Sequence, residues 1–227
     1  SALFLPGLPG EFVFDDYPNI VNSTLIQIKE LDIQTLLQVA SAPQPSGTMR
    51  TLPTVSFAVD YWRAGGMSPG AFKATNILIH ALTTCILAWF FRSLLLTAGH
   101  DERQIRWQAP ALALAWAVHP LHVSAVLYVV QRIQTMGTLF LAVALLAYLQ
   151  ARRAQVAGKS GRTGLMVSVL AWLLSMSCKE DSALLPAYTL ALELTILRFA
   201  AADVKVSRLL QRGYLMASLA GAVIFFF

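Results

Sequence analysis

Long apolar runs separated by short, basic loops constrain this chain more than any other feature. The runs occupy about 72–96, 107–119, 133–151, 164–178, 183–198 and 213–227. A helix needs roughly 20 residues to cross the hydrocarbon layer. Only 13% of the residues are charged, where a soluble domain carries about 25%. The pattern predicts an all-α, polytopic helical membrane protein. The runs 107–119 and 164–178 are short for a crossing, which predicts little tilt in a thinned bilayer, or ends set beside a cavity. The formal charge of +5 lies in the loops between runs and therefore reports on orientation. No basic helix with interleaved aromatics speaks for nucleic acid.

The chain reads as a single membrane domain over 1–227. Residues 1–9 look like the tail of a first membrane helix, which brings the expected count to six or seven spans. Residues 10–70 form a large loop, and 72–227 hold the transmembrane helices. The first residue is not Met and the last run stops on Phe225-Phe-Phe227, so the expectation is a piece of a longer protein. The loop contains two amphipathic candidates. One starts at the capping pair Asn22-Ser23, spaces Leu25, Ile28, Leu31 and Leu36 helically, and ends at Pro43, Pro45 and Gly47. The other runs from about Leu52 to Trp62, before Gly65-Gly66. Such helices lie flat at the interface or pack on the membrane domain as a lid. A straight helix over 120–150 would be about 46 Å long, too long for one crossing. The spacing therefore predicts a break near Gln131–Gly137, with 120–131 lying along the surface.

The loops 92–106, 152–162 and 198–212 hold eleven of the 17 Lys and Arg residues, against Asp101, Glu102 and Asp203. The positive-inside rule makes these loops cytoplasmic. The 10–70 loop then faces the opposite side. So do the corner His119-Pro-Leu-His122, Gln131-Arg132, Lys179-Glu180-Asp181, Arg50, and the polar start of the 72–96 helix, where Asn76 and His80 share a face. Ionisable groups at membrane depth are costly and usually mark function. Their one-sided convergence predicts a polar cavity at the outer leaflet. Taken singly, Arg132 and Lys179 read equally as snorkelling side chains, and His119 as a helix-end residue beside Pro120.

The most suggestive stretch is Gly10-Glu-Phe-Val-Phe-Asp-Asp-Tyr-Pro-Asn-Ile20. Its adjacent carboxylates, Asp15 and Asp16, repel each other's ionised forms, and partial desolvation adds to the effect. A carboxylate tuned in this way serves as a general base. The plainer reading is a cap on a turn or helix leading into Pro18-Asn19. No P-loop, no His-Glu-x-x-His helix and no Gly-x-Ser-x-Gly elbow is present. His119 and His122 straddle a proline without a third ligand nearby, so no metal site is assigned. Asn22-Ser23-Thr24 is a formal glycosylation acceptor. Cys85 and Cys178 sit within apolar runs, which predicts no structural disulfide.

Five motifs occur in order: Phe14-Asp-Asp-Tyr-Pro-Asn-Ile20; Arg50-Thr-Leu-Pro53 with Ser56-Phe-Ala-Val-Asp-Tyr61; Asn76-Ile-Leu-Ile-His80; His119-Pro-Leu-His122 with Tyr128-Val-Val-Gln-Arg132; and Lys179-Glu180 with Leu185-Pro186. In this order the chain resembles, over nearly its whole length, the membrane domain of the tetratricopeptide-repeat transmembrane O-mannosyltransferase-like proteins. Those belong to the GT-C glycosyltransferase superfamily. Ser124 stands where Glu or Gln is expected, Asp181 follows Lys179-Glu180 where Thr is usual, and no repeat of about 34 residues appears.

The resemblance implies a GT-C-type N-terminal module that moves a sugar from a polyprenyl-phosphate carrier to a protein hydroxyl at the periplasmic or lumenal face. It makes Asp15 the catalytic base, with Asp16 its neighbour. Arg50, His119, His122, Arg132 and Lys179 become candidates for the donor phosphate. Asn76, His80, Gln131 and Glu180 become supporting residues. A divalent cation is the one cofactor left open. Membrane lipids, the lipid-linked sugar, a protein acceptor and other membrane subunits are the implied partners, with a bacterial inner membrane preferred over the endoplasmic reticulum. The alternative is a non-catalytic GT-C-like subunit or anchor of a larger assembly. A transporter would call for paired broken helices or an internal repeat, and the sequence shows neither.

Overall fold

The computed structural model describes residues 2–42 and 50–226, and of the last helix it describes the side chains only as far as 219 and at 221. Among these residues all regular structure is helical. Two helices are long and apolar enough to cross a membrane: α3, Pro69–Thr97, and the Val129–Val156 unit, a 3-10 turn (Val129–Gln131) leading into α6 (Arg132–Val156). They pack parallel. Arg132 at the start of α6 bonds to Asn76 near the start of α3, and Gln150 near the end of α6 bonds to Ser93 near the end of α3.

The six or seven expected spans are thus matched by two helices of spanning length among the described residues. The segment expected at 107–119 is α4, Glu102–Ala117, only 16 residues long and with Pro110 inside it. The 164–178 segment is α7, Arg162–Met176, 15 residues long. The 183–198 segment breaks into a 3-10 turn (Glu180–Leu184), α8 (Leu185–Leu192) and a wider π-type turn (Glu193–Leu197). The last run joins α9, Val204–Phe226, which begins with Lys205, Arg208 and Arg212.

Two helical hairpins carry the fold. α3 turns into α4 at Gly99 (φ 83°), and α6 turns into α7 through Gly158 (φ 78°) and Gly161 (φ 64°). The α6–α7 seam is built from small residues. A Cβ placed on Gly164 would stand 2.9 Å from the Cβ of Ala151, and the hydroxyls of Ser168 and Ser175 donate to the carbonyls of Ala144 and Gly137, both at 2.8 Å. Close backbone approach through small residues, with hydroxyls bonding across, is the packing mode of helices in lipid.

A break in 120–150 is present, but it falls at Tyr128 and not at Gln131–Gly137, where α6 runs on unbroken. A short helix α5, His122–Leu127, ends at Tyr128 in extended conformation (ψ 112°), and the chain restarts at Val129. The second loop helix is also present, as α2, Thr51–Ala64. The first is not as expected. A 3-10 turn, Thr24–Ile26, is followed by irregular chain, and α1 spans only Ile33–Ser41. Along the irregular stretch Ile26 and Ile28 are buried and Gln27 is exposed, a period of two that a helix would break. Asp32 then starts the helix by accepting the Thr35 N–H at 2.7 Å. Pro43, Pro45 and Gly47 lie outside the described residues. The start of the chain folds as a 3-10 helix, Ala2–Gly7, with Phe4 buried edge-on against His80.

Candidate active site at the outer end of the helix pair

The 10–70 loop is pinned to the long helices by two buried side chains, Lys73 and Asp16. Lys73, one turn into α3, points its ammonium at the carbonyls of Gly10 (2.6 Å), Glu11 (3.2 Å) and Gly7 (3.4 Å). Asp16 is fully buried and accepts the N–H groups of Val130 (2.7 Å) and Val13 (3.1 Å). Burial pushes its carboxyl above the usual aspartate range, and the two N–H donors pull it partly back. Asp16 flanks a π-type turn, Tyr17–Val21, without capping it through its side chain. Its role is to fasten the loop to the turn at Val129–Gln131.

Asp15, next to it, is exposed. Its backbone N–H donates to the Tyr128 hydroxyl at 2.7 Å, and Asn19 Nδ2 donates to its carbonyl at 2.8 Å. Phe14 before it takes φ 43°, a left-handed conformation rare for a bulky residue, and is 84% exposed. Two fixed hydrogen bonds and a strained neighbour hold the Asp15 carboxylate outward. The Tyr128 phenol is raised by burial, with the Asp15 and Asp16 charges adding to the effect. The charges of both carboxylates are therefore felt at one hydroxyl.

Beside this loop lies a narrow cleft lined by Asn19, Arg50, Pro53, Thr54, Phe57, Val130 and Ile133. The Arg50 Nε is buried there without a hydrogen-bond partner among the described residues. A buried donor without a partner calls for an explanation.

Arg132 was expected to bind phosphate, and the structure uses it internally. It is fully buried; its Nε donates to Asn76 Oδ1 (2.7 Å), one terminal nitrogen to Ser56 Oγ (3.1 Å) and the other to Phe72 O (2.7 Å). Asp60 Oδ2 stands 2.6 Å away as a close charge pairing rather than an aligned hydrogen bond. The Phe57 ring lies 4.5 Å from the guanidinium carbon. Asn76 also donates to Val126 O at 3.1 Å, so it braces the α5–α6 turn.

A second cavity of about 260 Å³ is lined by His80, Trp116, His122 and Gln134, among others. His80 Nε2 donates to Ala117 O at 2.9 Å, and its ring stacks on Trp116. Burial lowers His122 below the usual imidazole range, and the neighbouring His80 and His119 lower it further. Lys179 donates to Gln134 Oε1 and stands 3.8 Å from Asp181. His119 is exposed, its Nδ1 accepting the Leu121 N–H at 3.3 Å. Gln131 is half-buried and Glu180 exposed. The single expected cavity is therefore two, on either flank of the 121–134 segment at one end of the helix pair, because the aromatic-clad Arg132–Asp60 core fills the space a continuous pocket would need. Among the described residues no three His, Cys, Asp or Glu side chains gather into a metal-binding group.

The sequence reasoning passed over the roles of Lys73, Asp60 and Tyr128. A lone lysine one turn into an apolar helix is a signal that was available for Lys73. The partners of Asp60 and Tyr128 lie 72 and 113 residues away along the chain, and no local pattern announces them.

A helical membrane fold with an exposed, backbone-anchored carboxylate and a half-buried arginine whose Nε has no partner among the described residues defines a helical membrane protein with a polar site on its 10–70 loop. Its relatives specify the class further. The chain is 29% identical to human protein O-mannosyl-transferase TMTC4 over 78% of this chain and 26% of that protein. It is 31% identical to mouse protein O-mannosyl-transferase TMTC2, over 71% and 19%, and 30% identical to human protein O-mannosyl-transferase TMTC1, over 62% and 16%. This chain is a homologue of the protein O-mannosyl-transferases, a family of membrane glycosyltransferases. It spans about a quarter or less of the length of these curated relatives. No known family profile matches it, and no solved structure does. These relatives are animal proteins and give the expected bacterial inner membrane no support; the membrane location itself stands.

Proposed function

We propose that this chain is the donor-side membrane module of a GT-C-type glycosyltransferase that transfers a sugar from a polyprenyl-phosphate carrier to a protein hydroxyl, at a periplasmic or lumenal face. In this reading 1–227 is one membrane domain, and the shorter helices α4, α7 and α8 also enter the bilayer as part of six or seven passes. Asp15 accepts the proton of the acceptor hydroxyl as its oxygen attacks the anomeric carbon. The bond from that carbon to the lipid phosphate breaks, and its electron pair leaves with the phosphate. Arg50 receives the phosphate charge, since its guanidinium borders the cleft beside Asp15 and carries an unpaired donor. His122 serves the donor from the neighbouring cavity, with His119 and Lys179 beside it, and a divalent cation, where one takes part, would be held at the exposed Asp15 and would supply positive charge for the departing phosphate. Arg132, Asn76 and His80 act as positioning residues.

The observation that carries the reading is the contrast within one dipeptide: Asp16 is buried and spent on backbone donors, while Asp15 is held outward. The test is transfer from polyprenyl-phosphate sugar to an acceptor protein by the full-length protein, with Asp15→Asn and Asp16→Asn compared. Loss of transfer in a folded Asp15→Asn protein is the expected result, and retained transfer removes Asp15 as the base. A second reading, a non-catalytic subunit, is favoured by the internal pairing of Arg132. Failure of the wild-type protein to bind polyprenyl-phosphate sugar, together with stable co-purification of partner subunits, would establish it instead.

A further inference from the structure

At the opposite end of the helix pair from Asp15, α3 and α4 enclose a groove of about 610 Å³. Arg92 and Trp89 reach it from α3, and Glu102, Arg103 and Arg106 from the first turns of α4. Leu96, Ile105 and Ala109 supply apolar lining, the last two being buried. Three guanidiniums face one carboxylate. Among the described residues none of the three has a side-chain hydrogen bond or ion pair; Arg106 has only the Trp107 ring, 6.0 Å away. Trp89 is 56% exposed and Trp107 74% exposed. Neither the glycosyl transfer nor the packing of the fold uses these guanidiniums and exposed indoles.

Exposed tryptophans on membrane helices settle at the boundary between headgroups and acyl chains. Arginines at that depth meet lipid phosphates, which they bind through two parallel N–H donors. A basic pocket between membrane helices matches an anionic headgroup. The groove also continues into apolar lining, which a free anion has no use for and an acyl chain does.

We propose that this groove is a binding site for an anionic phospholipid, its phosphate held by Arg92, Arg103 and Arg106 and one acyl chain laid along Leu96, Ile105 and Ala109. Glu102 opposes the headgroup and moderates its affinity. The site lies on the face away from the candidate active site, so its occupant is a structural lipid and not the sugar donor.

The full-length protein would be reconstituted into vesicles of equal phosphatidylglycerol and phosphatidylcholine, extracted, and its retained lipid counted by native mass spectrometry. Phosphatidylglycerol should be enriched over phosphatidylcholine. Arg103→Gln with Arg106→Gln should lower the enrichment by roughly fivefold per arginine, while the paired Lys variants keep most of it and Glu102→Gln raises it. All these side chains are exposed, so the variants should elute as the wild type does. Millimolar inorganic phosphate should leave the retained lipid in place. Equal retention of the two lipids, an unchanged enrichment in the paired Gln variant, or displacement by inorganic phosphate would each overturn the proposal, the last by showing a free-anion site.

Discussion

Arg132 and Asp60 meet 2.6 Å apart, both buried, where α6 begins beneath the outer loop. Removing one member of a buried pair strands the other charge, at a cost of about 3–5 kcal/mol. Asp60 keeps Arg63 at 2.8 Å and the Thr75 hydroxyl at 2.8 Å, so Arg132→Met should fall at the low end of that range. The double variant Arg132→Met with Asp60→Leu should recover part of the loss. Thermal retention of the monodisperse protein in detergent measures both. Equal stability of Arg132→Met and wild type would show the pair to be idle.

Asp16 gives a pH prediction. Burial raises its folded-state value above the ordinary 3.8, so the folded protein binds this proton more readily than the unfolded chain. The stabilisation tied to protonation is complete below 3.8 and fades as pH rises through the raised folded value. The melting temperature of the wild type, measured relative to Asp16→Asn, should therefore climb as pH falls from 7 towards 4. A difference that shrinks on acidification would contradict the assigned direction.

Tyr128 holds the Asp15 backbone through its hydroxyl. Tyr128→Phe should lower sugar transfer by about tenfold, the worth of one lost positioning hydrogen bond plus some slack in the loop. The melting temperature should barely move, because the hydroxyl sits on the exposed side of the loop. A large fall in stability with unchanged transfer would make Tyr128 structural only.

Gly164 tests the α6–α7 seam. An added methyl meets Ala151 Cβ at 2.9 Å and Ala147 O at 3.0 Å, neither of which can swing aside. Gly164→Ala should destabilise the protein by about 1–3 kcal/mol despite alanine's better helix propensity. Gly213→Ala in α9, with nothing within 4 Å, is the control and should be neutral or mildly stabilising. Similar behaviour of the two variants would argue against close packing at the seam.

Much of the skeleton was legible because it is written in local pattern. The apolar runs mark the long helices, and the length of 120–150 called for a break, which falls at Tyr128, a few residues before the expected Gln131–Gly137. What was not legible depends on contacts far along the chain. The Asp16 carboxylate finds Val130 across 114 residues, and Lys73 reaches Gly10 across 63. Asp15 and Asp16 look alike in the sequence, and only the packed loop separates an outward carboxylate from a structural one. The 22–42 helix was misjudged for a local reason: leucine and isoleucine spacing fits a helix, but alternate burial at Ile26 and Ile28 and the cap at Asp32 prevailed.

The paired helices α3 and α6 are tied by Arg132 at one extremity, and α6 is tied at the other by Arg152, whose Nε donates to Glu193 at 2.5 Å. A beam bolted at both tips resists lengthwise slippage, since any slide would tear two desolvated charges from their mates at once. Whatever rearrangement accompanies a working cycle must therefore be taken up by the periphery, in the segment from Phe14 to Asn19 and its hydroxyl tether, while the central stem keeps its register.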